Sequence, residues 1–362
     1  LLISSALALL ATLTALHFHN SFKSTSTASS EVPASVVSEY SAWKAKYRKL
    51  YATPAENNHR LRVFYFQKRQ VENMNANYEV KAKASGQVLS GPMFALNKMA
   101  DLDNIEFKVR YAGAKVLEPE FYEDYFDPSI QTKPTSDAPK SQETRRTLQD
   151  KKPFELRVQD QGACASCWAF ATIACLEKML YDKNNTQPAL SQQELVDCEI
   201  RSNGCDGGFP EYALDYVFTK GLALSSVYPY VGTEMRCRRN SSRSVFTGGS
   251  RPPITNFTIE YAKRVVQDGI HAAVFVYSEG EFRFLSDSDD VYDARNTDDC
   301  KSKMDHALTL LDATDDTVTL LNSWGTEWGK QGVKKIRICA PNNLMGIKGR
   351  ITHSYGNLTL TG

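Results

Sequence analysis

The first 163 residues contain no cysteine, yet eight cysteines fall between positions 164 and 339. That asymmetry predicts two parts with different jobs. An excess of either charge is missing too: 43 Lys plus Arg stand against 42 Asp plus Glu, a formal net charge of +1. With no basic surplus, and no basic stretch interleaved with aromatics, the chain lacks the electrostatic footprint of a nucleic-acid binder. Long apolar runs are scarce. The single candidate, residues 1–16 (LLISSALALLATLTAL), is shorter than the ~20 residues a membrane span needs. It suits the apolar centre of a secretory signal, which we expect over residues 1–20. The chain begins with Leu and no positive segment precedes the run, so the N-terminus reads as incomplete; a longer anchor lacking its start is the alternative. No second CxxC and no paired histidines accompany the one CxxC at 164–167, so half of a zinc site would be missing, and neither metal nor cofactor is expected. The surroundings also lack a βαβ pattern, which argues against a thioredoxin-like redox pair. At 362 residues, 42% of them hydrophobic by type, the chain is still long enough for a large core and two or three domains.

The chemistry concentrates in residues 161–171, QGACASCWAFA. The small and apolar run predicts a helix starting at Cys167. A sulfur there would sit where unpaired backbone N–H groups and the positive end of the helix dipole favour a thiolate, the nucleophilic form. A cationic partner is then required, and His306 in MDHALTLL is the best candidate. A lone histidine in an apolar strand is more often a packed core residue. Here the flanking Asp305 and the nearby NSWGTEWG, which starts at Asn322, favour function. Three of the four tryptophans, Trp168, Trp324 and Trp328, also lie beside these positions.

Upstream, residues 20–35 are Ser/Thr/Ala-rich and read as a flexible leader. From residue 36 the pattern turns helical, with Tyr40, Trp43, Tyr47 and Tyr51 at three- and four-residue spacing. Pro54 should break the helix, and a second should run over 55–84. In it Phe64, Val71 and Asn75 fall near one stripe, and Glu56 with Arg60 forms an i,i+4 pair. By itself this could be an amphipathic helix of any helical domain. Residues 117–152, with Pro119, Pro128, Pro134 and Pro139, read as a linker, in which Arg145–Arg146 is a candidate cleavage point or simply a solvated charge pair. β-rich runs fall at 272–276, 307–311, 317–321 and 333–338. Sequons at Asn184, Asn240, Asn256 and Asn357 are glycosylation candidates and, with the signal-like start and the cysteines, favour a secretory route, lysosomal, vacuolar or extracellular.

These residues resemble the papain-like cysteine proteases, in their cathepsin L-like branch, as a preproenzyme. Gln161, Gly162, Cys164, Ser166, Cys167, Trp168, Ala169 and Phe170 match the family's active-site segment; Ala165 stands where Gly is usual. His306 and Asn322 follow 139 and 155 residues after Cys167, in the family's order. Glu56, Arg60, Phe64, Gln67, Val71 and Asn75 fall at prosegment spacing, and Asn97 and Asp101 match its second motif. The resemblance implies an α+β fold of two subdomains, a helical half carrying Cys167 and a β-barrel-like half carrying His306 and Asn322, preceded by a helical inhibitory prosegment. It places the prosegment at 36–115, an activation linker at 116–147 and the peptidase domain at 148–362. It implies disulfides Cys164–Cys205, Cys198–Cys237 and Cys300–Cys339, leaving Cys175 as a small buried residue.

It also implies roles. Cys167 is expected as the nucleophile, held as a thiolate by His306, which Asn322 orients. Gln161 would donate to the oxyanion, and Trp324 would shield the His–Asn bond. Gly207 and Gly208 would let a peptide pair with the cleft wall, and Phe209, Pro210, Ala307 and Leu344 would line the selectivity pocket. With nothing charged at its base, that pocket predicts Leu, Val or Phe two residues before the scissile bond. The expected partners are protein or peptide substrates, the chain's own prosegment as an intramolecular inhibitor and cystatin-like inhibitors, the enzyme being a monomer. Departures lie at framework positions: no Trp opens the peptidase part, LLDATDD follows His306, and Gly332–Val333 replaces an aromatic pair. A non-catalytic or weakly active binding protein with the same cleft is the alternative.

Overall fold

The computed structural model describes residues 32–115, 153–240, 246–247, 254–297, 300, 303–341, 343–344, 350–353 and 359–360. The signal-like stretch, the linker with its dibasic pair, and Asn357 lie outside them. Packing divides the chain into two units, Leu1–Asn57 and Asn58–Gly362.

In the first unit, α1 (Ala34–Lys46) buries Val36, Tyr40 and Trp43, the positions a 3.6-residue period brings to one face. The Tyr40 and Trp43 rings stack at 5.9 Å. α2 (Pro54–Ala84) starts at the proline itself, where a missing N–H and a fixed φ cost nothing. The break expected at Pro54 and the helix expected after it are both present.

In the second unit, the rest of α2 buries Arg60, Phe64, Gln67, Val71, Tyr78 and Ala82. Arg60 donates to the Asp101 carbonyl at 3.0 Å and to the Glu106 carboxylate at 2.6 Å, partners that no local spacing indicates. α3 (Asn104–Tyr111) opens on a capping box in which Asp103 and Glu106 satisfy each other's backbone N–H. The helical half follows: α4 (Cys167–Asn184), α5 (Gln192–Cys198) and α6 (Pro210–Lys220). α4 is apolar on two sides. Trp168, Ile173, Leu176 and Leu180 pack with residues of α5 and α6 such as Leu195 and Val217. The stripe Cys167, Ala171, Cys175 packs with Ala273, Phe275 and Ala307. A helix apolar on both sides belongs between two layers.

The second layer is a seven-stranded sheet. Its strands are β2 (Ile254–Asn256), β3 (Ala272–Val276), β4 (Tyr292–Asp293), β5 (His306–Ala313), β6 (Thr317–Leu321), β7 (Val333–Arg337) and β8 (Arg350–His353); β1 (Phe246–Thr247) pairs apart from it with β9 (Thr359–Leu360). The order is β2-β8-β3-β5-β6-β7-β4. All pairs are antiparallel but β4–β7. The expected strands 272–276 and 317–321 coincide with β3 and β6. The other two differ only at their ends, where β5 runs on to Ala313 through an irregularity after Leu310. α7 (Ile259–Gln267) buries Ile259, Tyr261, Ala262 and Val265.

Three disulfides join Cys164–Cys205, Cys198–Cys237 and Cys300–Cys339, across 41, 39 and 39 residues. Loops of that size each remove unfolded-state entropy worth about 4 kcal/mol in the chain-entropy account. Cys167 and Cys175 are free and buried.

Candidate active site

Cys167 is the first residue of α4, and its N-cap, Ser166, makes no side-chain cap bond. The backbone N–H groups of Ala307, Gly113 and Trp168 are directed to the sulfur's side and favour its thiolate. The Ala307 amide brings the residue before it, His306, to the same place. His306 opens β5 and stacks on Trp324, ring centroids 4.5 Å apart and planes inclined by 28°. Its Nε2 is 2.8 Å from Asn322 Oδ1. That oxygen also accepts the Ser323 N–H at 2.7 Å, which fixes which end of the amide is oxygen. Nε2 therefore carries a proton, and Nδ1 is the nitrogen left to exchange one with the sulfur.

Gln161 is held from three sides. Its N–H donates to the Ser323 carbonyl at 2.8 Å, its Oε1 accepts from Ser323 Oγ at 2.7 Å, and its Nε2 donates to the Cys164 carbonyl at 2.9 Å. The same Nε2 reaches the Tyr111 carbonyl at 3.3 Å. After α3 ends at Tyr111 the chain turns extended at Ala112 and runs through the cleft to residue 115. The Ala114 N–H donates to the Asp305 carbonyl at 2.9 Å; Gly208 N–H donates to the Gly113 carbonyl at 2.9 Å, and Lys115 N–H to the Gly208 carbonyl at 2.8 Å. Gly207 has φ +100°, open to glycine, and a Cβ there would lie 2.4 Å from the Gly113 carbonyl oxygen.

Under this segment both Cys167 and His306 are wholly buried. Burial pushes the Cys167 thiol up to about 11, against the pull of its three N–H partners. Burial likewise pushes His306 down to about 4, outweighing the bonds with Asn322 and the Tyr111 carbonyl that favour its protonated form. Under the prosegment, burial thus works against both charges of the thiolate–imidazolium pair expected from sequence. The helix N-terminus favours the thiolate by a kcal/mol or so, which cannot offset removing a charge from water.

The prosegment is anchored on the barrel-like half. Arg283, fully buried, donates to the Leu102 carbonyl at 2.8 Å and to that of Met99, and stacks on Phe107 at 4.5 Å. Asn97 donates to the Arg283 carbonyl at 2.7 Å. Phe107 and Tyr111 meet Trp324 edge-on at 5.5 and 6.2 Å.

Of the expected lining residues, Ala307 packs with Cys167. Leu344 is fully buried and packs in the cluster that also holds Trp324. Phe209 caps α6, whose first residue is Pro210; neither joins the cluster around Cys167. That cluster holds Ala114, Phe275 and Met304, which sequence reading missed. Phe275 faces the site because β3 pairs it with Ala307, a register invisible in the chain. Ser323 was the more legible omission, since it adjoins Asn322. Asn240 is exposed, Asn184 ends α4 and Asn256 ends β2.

Comparison with known proteins gives this geometry its class. Residues 138–354 match the papain family cysteine protease model, and residues 40–107 match the cathepsin propeptide inhibitor domain (I29). Caricain from Carica papaya is 30% identical over 322 residues, covering 87% of this chain and 85% of caricain. Papaya proteinase 4 from the same plant is 29% identical with the same coverage. Digestive procathepsin L 3 from the Tenebrio molitor larval midgut superposes with a TM-score of 0.65 at 23% identity, over 89% of this chain and all of that one. A recombinant stem bromelain precursor gives 0.64 at 21%, over 90% and 99%. At those identities the structures speak for the fold alone.

The chain belongs to the papain family of cysteine proteases. It is a cysteine endopeptidase that carries its inhibitory propeptide, a zymogen. No helix among the described residues is long and apolar enough to cross a membrane.

Proposed function

We propose that Cys167 is the nucleophile of this endopeptidase, His306 its proton carrier, Asn322 the group that orients His306, and Gln161 the side-chain donor to the oxyanion. One observation carries the reading: Gln161 Nε2 reaches the Tyr111 carbonyl, Cys167 packs with Ala114 of the same segment, and the Ala114 N–H donates to the carbonyl of Asp305, the residue before the Asn322-held His306. With the prosegment gone, water and the α4 N-terminus favour the thiolate, and His306 takes its proton. A substrate carbonyl placed near the present position of the Tyr111 oxygen accepts from Gln161 Nε2 and from the Cys167 N–H. The thiolate attacks its carbon, the C–O π electrons move onto oxygen, and the oxyanion collapses as His306 Nδ1–H protonates the leaving nitrogen. Water then gives a proton to His306 and attacks the thioester, releasing the acid and the thiol. Trp324 lies over the imidazole and keeps water from the His–Asn bond.

The prosegment resists this chemistry because it covers Cys167 and His306, its backbone held by Asp305 on one side and Gly208 on the other. Its cover also works against a charge on either reacting group. Gly207 and Gly208 hold an extended peptide through backbone hydrogen bonds. The adjoining cluster of Ala307, Met304 and Phe275 is apolar, which supports an apolar residue two before the scissile bond. Protein substrates and cystatin-like inhibitors are the partners this cleft would take, for a monomer made in the secretory pathway and held in a lysosome or vacuole or released. The prosegment at 36–115 and the peptidase domain at 148–362 are the parts we assign, with glycan sites at Asn184, Asn240, Asn256 and Asn357. Titration of the acid-treated protein with an epoxide inhibitor of cysteine proteases, followed by peptide mapping, tests the core of the proposal. One equivalent bound at Cys167 is expected; an adduct elsewhere, or none in a protein that cleaves peptides, refutes it.

A further inference from the structure

We propose that Tyr230 is a positioning residue for the oxyanion site: its hydroxyl clamps the two ends of the 161–166 loop and so holds the Gln161 side chain and the Cys167 N–H at a fixed separation. This rests on the active-site reading above and adds a residue that acts through Gln161 and Ser166.

The Tyr230 hydroxyl lies 2.7 Å from the Gln161 carbonyl oxygen and 2.8 Å from Ser166 Oγ. A carbonyl can only accept, so the phenol proton goes to Gln161. Ser166 then donates to the phenol oxygen, a shorter contact than its 3.3 Å approach to the Cys164 carbonyl. Ser166 stands at the N-cap of α4, where a serine ordinarily bonds the helix's free N–H groups. Here it makes no such bond, and its hydroxyl goes to Tyr230 instead. Burial pushes the Tyr230 hydroxyl up to about 12, so it keeps the proton the clamp needs. Each end of the clamp adjoins one oxyanion donor. Gln161 carries the first on its own side chain, and the peptide bond after Ser166 carries the second, the Cys167 N–H.

The loop between those ends is loosely packed at its start. Gly162 turns it at φ +62° with nothing within 4 Å of where a Cβ would stand, and Ala163 is exposed. The disulfide fastens the loop at Cys164. Ser323 fastens Gln161 to the sheet half, and Tyr230 ties it to Ser166 at the head of α4. Tyr230 itself sits on a fixed stretch of chain. The Tyr228 carbonyl accepts from Ser191 Oγ at 2.7 Å, the Tyr228 hydroxyl donates to Asp197 at 2.7 Å, and the Val231 N–H donates to Gln193 Oε1 at 2.8 Å. The Tyr230 ring meets Phe170 of α4 edge-on at 4.9 Å. A hydroxyl carried on so constrained a ring can keep two groups in register. That matters because a misplacement of about 1 Å in an active site can cost about a hundredfold in rate.

The test compares wild type, Tyr230→Phe, Gln161→Ala and the double variant after acid processing, with active sites counted by the epoxide. Tyr230→Phe keeps the ring against Phe170 and removes only the clamp. It should lower kcat about tenfold or more with KM within about twofold, the signature of an interaction made in the transition state. In the Gln161→Ala background the same change should lower kcat by less than about threefold, because one of the two donors is already gone. Alkylation of Cys167 by iodoacetamide forms no oxyanion, so its rate should stay within about twofold of wild type in Tyr230→Phe. Equal losses in both backgrounds, or an alkylation rate that falls along with kcat, overturn the positioning role. A kcat lowered by Gln161→Ala but untouched by Tyr230→Phe also overturns it and leaves the oxyanion reading standing. A kcat unchanged in Gln161→Ala overturns that reading, and the role of Tyr230 with it. Should Tyr230→Phe fail to titrate, Ser166→Ala, which cuts the other end of the clamp, decides: a lower kcat at unchanged KM supports the role and an unchanged kcat refutes it.

Discussion

Removal of the prosegment should change the reactivity of Cys167 by an amount the structure lets us work out. In the covered cleft burial holds the thiol near 11. At pH 7 the thiolate fraction is then about one in ten thousand. Uncovered, with the α4 N-terminus and an imidazolium beside it, a cysteine of this type falls to roughly 3.5–7.5 and is mostly ionised. A less basic thiolate is also a weaker nucleophile, by a Brønsted coefficient of about 0.4–0.5, so a ten-thousandfold gain in thiolate becomes about a hundredfold gain in rate. Shielding by residues 111–115 adds to this, which makes a hundredfold the lower bound. The assay is iodoacetamide labelling between pH 5 and 9, before and after acid processing, read by peptide mapping at Cys167. The zymogen rate should climb close to tenfold per pH unit, as expected well below a thiol's pKa; the processed rate should be high and nearly flat. Cys175, 2% exposed with its thiol pushed up to about 12 by burial, serves as an internal control that stays unlabelled in both. Labelling of zymogen Cys167 within about threefold of the processed rate, or a flat pH profile in the zymogen, would refute the argument that burial suppresses the ion pair.

Arg283→Ala should weaken prosegment docking, because charge-assisted bonds to the Met99 and Leu102 carbonyls, each worth about 1.5–3 kcal/mol, would be lost together; self-processing at a fixed pH should quicken, and an unchanged rate counts against the anchor. Gln161→Ala should lower kcat by about 10²–10³ with little change in KM, whereas a loss confined to KM would move Gln161 out of the oxyanion role. Burial raises the Glu106 pKa, but the hydrogen bond from Arg60, the backbone bond at Asp103 and the Arg60 charge outweigh it, and the net shift is downward. A lowered carboxylate stabilises the fold above its unfolded pKa and ceases to do so as pH falls through its folded one. Acid should therefore loosen the prosegment around α3, and Glu106→Gln should flatten that pH dependence in hydrogen exchange of residues 104–111; an equally steep dependence in the variant excludes Glu106 as a contributor.

Much of this protein is written locally. Pro54 at the head of α2, the spacing of Phe64 and Val71, the capping box at Asp103, the apolar run after Cys167 and the four β-rich stretches all act through neighbours within a few residues, so the chain alone determined those elements and pointed to Cys167, His306, Asn322 and Gln161. Tertiary structure decided the rest. Arg60 found Glu106 and not merely its helical neighbour. Phe275 came to pack with Cys167 and Ala307, since strand pairing, not sequence distance, sets which side chains share a face. The burial of Cys167 and His306 was decided the same way: residue type allows an ion pair, but solvent access controls its cost, and only the folded chain lays residues 111–115 over them.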